Sequence, residues 1–278
     1  MDDVLHFDKA AAVAAWAARV RANREQAERL REAPERPDFY APVASAFRAD
    51  PRRTSEAALD TLRALVVPGE TWLDIGAGGG RYALPIALLA GEVLAVDPSD
   101  AMLGILREGM AEHGISNVTA LPGRWPLPSP PEADVSLIAH VAYDIEAFGT
   151  FLDAMEAATR RLCVAVLQAQ SPAAVAARFW PVVHGEPRST LPALPEFLAL
   201  QLARGRLCEV RLSSRPPMVY PSRDVSLGFV RQQLFIEPGG PKDQILESSA
   251  PGMFFEVEGG FALTTEPVTV GVVSWAPR

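Results

Sequence analysis

Two aspartates, a glycine cluster and a histidine stand at spacings suited to holding a charged nucleotide. Asp74 immediately precedes the run Ile75-Gly76-Ala77-Gly78-Gly79-Gly80-Arg81, Asp97 ends the next apolar segment, and His140 and Tyr143 follow a later one. A strand, a glycine turn and a helix in succession gather backbone N–H groups and a positive helix end at one spot. Glycine is needed there because it adopts positive φ and lets a ligand approach the backbone. A carboxylate at Asp74 would repel a pyrophosphate but suits a ligand with a positive charge or an ammonium group. Asp97 lies about one strand later, where an acid hydrogen-bonds ribose hydroxyls; capping the helix near Ser99 is its alternative role. His140 is a candidate general base or substrate-orienting group beside Tyr143, or simply a histidine closing a strand end. Asp144 reads as an N-cap.

The dinucleotide fingerprint requires G-x-G-x-x-G or a final alanine. Gly76 and Gly78 fit, but Arg81 occupies the third glycine's slot and Gly80 falls one residue early. Arg81 is too large for close helix–strand packing, which weighs against an NAD(P)-dependent oxidoreductase.

These residues need elements to position them. Strand-like runs are expected at Thr71–Ile75, Glu92–Asp97, Asn117–Leu121, Asp134–His140, Leu162–Leu167, Leu207–Leu212 and Val268–Trp275. Helical runs are expected at residues 8–33, Ser55–Leu65, Arg81–Ala90, Ser99–His113, Ile145–Thr159 and Ala173–Phe179. Apolar strands alternating with helices predict a mostly parallel sheet covered on both faces. Residues 1–54 read as an N-terminal helical extension or lid, and 55–278 as the main domain. An insertion at about 215–265, holding Tyr220, Phe229, Phe235, Phe254 and Phe255, is a candidate substrate wall.

The stretches LDIGAGGGR and LAVDPSDAML, in that order, resemble motifs I and II of class I S-adenosylmethionine-dependent methyltransferases over roughly residues 55–170. The run VTVGVVSW resembles that family's antiparallel last strand. The resemblance implies an α/β, Rossmann-like, seven-stranded, mostly parallel sheet with helices on both faces, and S-adenosyl-L-methionine as cofactor. It implies that Asp74, Gly76 and Gly78 surround the methionine moiety, with Ala77 and Arg81 also against the cofactor. Asp97 would hold the ribose diol, Ala101 or Met102 would lie beside the adenine, and Pro98 would also contact the cofactor. The family often shows Gly-Asp after the third strand; here Gly123-Arg124-Trp125 stands instead, so the adenine would pack on Arg124 or Trp125, unless Trp125 is core. Tyr40 would reach the methionine end, and His140 would face both cofactor and acceptor. The implied reaction is in-line methyl transfer to a small molecule, and a binding protein that has lost catalysis is the alternative.

A net charge of −8 argues against a general nucleic-acid or membrane-surface binder. Cys163 and Cys208 lie in apolar runs and read as reduced core thiols. The four histidines have no ligand spacing, so no metal is expected. The first ten residues are acidic, with no apolar segment, and no run approaches the ~18 apolar residues of a membrane span, so a cytoplasmic protein is expected.

Overall fold

The computed structural model describes residues 8–34, 38, 41–249 and 252–278. The elements in chain order are α1 (Lys9–Leu30), α2 (Ala57–Leu65), β1 (Thr71–Ile75), α3 (Ala83–Ala87), β2 (Glu92–Asp97), α4 (Asp100–His113), β3 (Val118–Pro122), β4 (Ala133–Ala139), α5 (Phe148–Ala157) and β5 (Thr159–Gln168). They continue with α6 (Trp180–His184), α7 (Leu194–Ala203), β6 (Glu209–Arg215), β7 (Val219–Tyr220), α8 (Arg223–Leu234), α9 (Pro241–Ser249), β8 (Phe255–Val257), β9 (Gly260–Ala262) and β10 (Val268–Trp275).

One seven-stranded sheet runs β3-β2-β1-β4-β5-β10-β6, with β10 antiparallel to both neighbours. The α/β, Rossmann-like expectation is met, antiparallel strand included. The central strands are apolar on both faces because helices cover both. One core layer joins the sheet to α2, α3 and α4 through Leu59, Leu62, Trp72, Leu84, Leu103 and Leu106. The opposite layer joins it to α1, α5 and α7 through Trp16, Phe148, Phe151, Met155, Phe197 and Trp275. Local signals set the ends: Asp8 and Ser99 cap α1 and α4 by accepting backbone N–H groups, and Gly114 closes α4 in the left-handed conformation that a side chain disfavours.

Boundaries differ from expectation where glycine and proline intervene. The glycine turn extends to Tyr82, so α3 has five residues rather than ten, with Pro85 inside it. α5 begins only at Phe148, with Ala147 rather than Asp144 at its N-cap position. In the insertion after β6, β7, β8 and β9 form a small separate sheet. With α6 and α8 it encloses a third cluster around Phe179, Trp180, Tyr220, Leu227 and Val230.

The described part of the N-terminal extension is built into the core. The Trp16 ring stacks on Phe148 at 4.6 Å, and its indole N–H donates to the Ile145 carbonyl at 3.0 Å. Beyond α1, the Glu32 and Ala33 N–H groups bond Phe235 in the insertion, Asp38 meets Ser99 at the start of α4, and a 3₁₀ turn, Ala41–Phe47, packs on α4. Trp16→Ala should therefore cost about 3–5 kcal/mol in denaturant unfolding, as for other large core truncations. A detachable lid would lose less than about 1 kcal/mol.

Candidate active site

The strand order reverses between β1 and β4, so their carboxyl ends bound the crevice where open α/β sheets bind ligands. The loops leaving these two strands touch. A Cβ at Gly76 would collide with Val141, and Gly76 takes φ +76°. Gly78 takes φ +54°, and a Cβ there would meet nothing closer than the Met102 sulfur at 4.0 Å. Its open side is the room a ligand would use. Gly80, not residue 81, supplies the close packing: at φ +83°, a Cβ there would approach Leu106 to 2.5 Å. The spacing in this turn is thus G-x-G-x-G, which leaves Arg81 free to turn outward.

One wall of the crevice is acidic. Asp97 accepts from the Gly78 N–H and the Ser99 N–H, both at 2.8 Å, tying the glycine turn to the start of α4. The capping of α4 falls to Ser99, whose hydroxyl accepts from the Met102 N–H at 3.1 Å, and each Asp97 oxygen keeps a further lone pair. Asp38, held by Ser99 at 2.6 Å, lies close enough for its charge to act on Asp97. Burial, with Asp38 adding to it, raises the Asp97 pKa. Asp74 is 2% exposed, and among the described residues neither of its oxygens has a hydrogen-bond partner. Burial, reinforced by the Asp97 charge, pushes its pKa up to about 7; the Ala83 N–H tempers the rise without completing a hydrogen bond. A carboxylate in this state is stabilised by any cation that reaches it. Ala77 and Met102 are buried beside this wall and Pro98 is exposed at its rim.

The other wall holds His140, which has φ +60°, unusual for a non-glycine residue and costing about 1–3 kcal/mol. Its N–H bonds the Val166 carbonyl at 2.9 Å, which anchors the strained turn to β5. Tyr143 Oη accepts from the Gln168 N–H at 2.8 Å and lies 3.3 Å from His140 Nδ1. With Oη already accepting, the hydroxyl hydrogen is free for Nδ1, and the proton of the neutral ring then resides on Nε2. Burial, with the charges of Arg215 and Arg81, lowers the His140 pKa to about 4. His140 is therefore neutral near pH 7 and equipped to donate from Nε2. Burial also raises the Tyr143 pKa, so its hydroxyl stays protonated. The weak basicity of His140 does not favour the general-base role.

Three expected cofactor contacts have different surroundings. Trp125 is 7% exposed within the α1–α5 core layer, and its indole N–H donates to the Phe151 carbonyl at 3.3 Å. Its bulk fills the core rather than an adenine face. Arg81 pairs with Glu56 at 2.8 Å beside Tyr82, away from the methionine cradle. Arg124 is exposed and remains available at the rim. Tyr40 lies outside the described residues. Sequence reasoning missed Glu56, Arg53, Tyr82 and Gln168, whose roles exist only once α2 and β5 are packed. Among the described residues, no group of acidic, histidine or cysteine side chains could hold a metal ion. None of their helices is long and apolar enough to cross a membrane.

Residues 73–163 match a family model described as a methyltransferase domain. A 52-residue stretch, 19% of this chain, is 42% identical to a 23S rRNA (uracil(1939)-C(5))-methyltransferase of Shewanella. That match spans 12% of the relative's length. The fold is shared with an S-adenosylmethionine-dependent methyltransferase of Geobacter sulfurreducens solved with S-adenosyl-L-homocysteine, at TM-score 0.55 and 20% identity, covering 88% of this chain and 99% of that one. It is also shared with a coclaurine N-methyltransferase solved with N-methylheliamine and S-adenosyl-L-homocysteine, at TM-score 0.51 and 13% identity, covering 94% and 88%. The family model is seated on the glycine turn and the strands that follow it, within a fold shared with these methyltransferase structures.

Proposed function

We propose that the protein transfers a methyl group from S-adenosyl-L-methionine to a small-molecule acceptor. The observation that carries this reading is the buried, partnerless Asp74 carboxylate beside the open face of Gly78. An α-ammonium group is the cation that this pair fits, and the remaining lone pairs of Asp97 suit the ribose diol. Pro98 and Met102 would hold the adenine end, with Arg124 available at the rim beside it. When bound, the cofactor supplies a methyl group on a sulfonium, which needs positioning and exclusion of water more than acid–base help. His140 orients the acceptor through its Nε2 hydrogen, and Tyr143 fixes the ring. The coclaurine enzyme's small-molecule substrate supports this acceptor class; the ribosomal RNA relative shares too short a stretch to outweigh it.

Calorimetry should give micromolar binding of S-adenosyl-L-homocysteine. Asp97→Ala should weaken it about 10-fold or more, the loss of one or two hydrogen bonds to a charged group. Absence of binding, or an unchanged variant whose melting curve matches the parent, would contradict the proposal.

Asp74 also predicts how stability depends on pH. Its folded pKa of about 7 lies above the ordinary 3.8, so between these values the native state holds a proton that the unfolded chain has released. The ligand-free protein should therefore lose stability as pH rises from about 4 to about 7, by up to about 4 kcal/mol, and level off above. Asp74→Asn should flatten that slope and raise the ligand-free melting temperature at pH 8, while weakening cofactor binding. Unfolding curves at pH 5 and pH 8 check this; equal slopes in parent and variant would contradict it.

A further inference from the structure

The crevice wall opposite Asp74 and Asp97 is basic, and the cofactor reading uses none of that charge. Tyr82 is the hub: its ring centroid lies 6.2 Å from that of His140, with the Arg53 and Arg81 guanidiniums 5.8 and 5.9 Å from it. Among the described residues, Glu56 is the one carboxylate in contact, accepting from Arg53 at 2.7 Å, Arg81 at 2.8 Å and Tyr82 at 3.2 Å. Arg215 enters from the other side. It ends β6 opposite Val268, on the same carboxyl edge as Gln168, two strands across and two residues further along, about 12 Å away. Among the described residues it has no acidic partner and donates only to the adjacent Pro216 carbonyl, at 3.1 Å. Its charge nevertheless acts on both His140 and Tyr143. Three guanidiniums against one carboxylate leave an excess of two positive charges beside a neutral histidine, on a chain whose net charge is −8. Partly desolvated cations without counter-charges are retained at a cost unless a ligand supplies the missing anion. Guanidinium is also the group best shaped for a planar or tetrahedral oxyanion.

We propose that the methyl acceptor is a small oxyanion, bearing a carboxylate or phosphate that Arg215 and Arg81 receive while His140 donates to it or to a neighbouring oxygen. This rests on the methyltransferase reading for the word acceptor, but the anion site itself is tested separately. Benzoate, phenyl phosphate and the uncharged isostere benzamide are titrated into the protein with and without saturating S-adenosyl-L-homocysteine, followed by ligand-observed NMR. At least one anion should bind at least 10-fold more tightly than benzamide, and the tighter of the two identifies the group. Arg215→Gln should reduce anion affinity at least 10-fold and leave S-adenosyl-L-homocysteine affinity unchanged, which also certifies that the variant folds. Equal affinity for the three probes, no binding by either anion, or undiminished anion affinity in Arg215→Gln would overturn the proposal. Failure of S-adenosyl-L-homocysteine alone to bind would count against the methyltransferase reading, since anion binding in its absence is read independently.

Discussion

Asp74 sits at the carboxyl end of β1, between Ala95 of β2 and Leu137 of β4, in the middle of a sheet covered on both faces. That position removes its carboxylate from water, and among the described residues nothing replaces the lost hydrogen bonds. A group in this state either keeps a proton or finds a cation. The surrounding architecture follows from accommodating it at the one place where the sheet's order reverses. Gly76 gives way to Val141, Gly78 opens a face, and Asp97 holds the turn to α4 by two backbone N–H groups while adding its own negative charge.

The two walls of the crevice are electrically distinct. Asp74, Asp97 and Asp38 gather near the turn, whereas Arg53, Arg81 and Arg215 gather near His140. A ligand with its cation at one wall and an anion at the other would lie across the switch point with each charge matched. His140 stands on the basic wall. Its strained backbone is held by β5 through Val166 and its ring by Tyr143, which is itself pinned to Gln168. Rigid supports of this kind let a neutral imidazole act as a directed donor.

Much of this was legible in the residue order because the informative signals are local. β1, β2 and β10 appear at the residues expected, since apolar runs bounded by Gly, Pro or Asp leave little choice of boundary. The acids before and after the glycine turn could be read the same way. What depends on packing could not. Gly80's role depends on the approach of Leu106 from α4, and a motif written for another turn assigned that role to residue 81. Trp125 is equally plausible on an adenine or in a core until Phe151 supplies its carbonyl. α7, α8 and α9 lie in a stretch punctuated by Pro and Gly, where propensity is weak and the third cluster decides. Arg215 and Tyr82 are far apart in sequence and become related to His140 only through the sheet and the α2 contact.

The claim on which the rest stands is that Asp74 is held for a cation and gives up its proton when that cation arrives. Calorimetric titration of S-adenosyl-L-homocysteine near pH 6.5, in buffers of different ionisation enthalpy, counts the protons exchanged on binding. The account predicts a net release of a substantial fraction of one proton, falling towards zero above pH 8 and abolished in Asp74→Asn. Binding with no proton release at pH 6.5, or release unchanged in that variant, would contradict it.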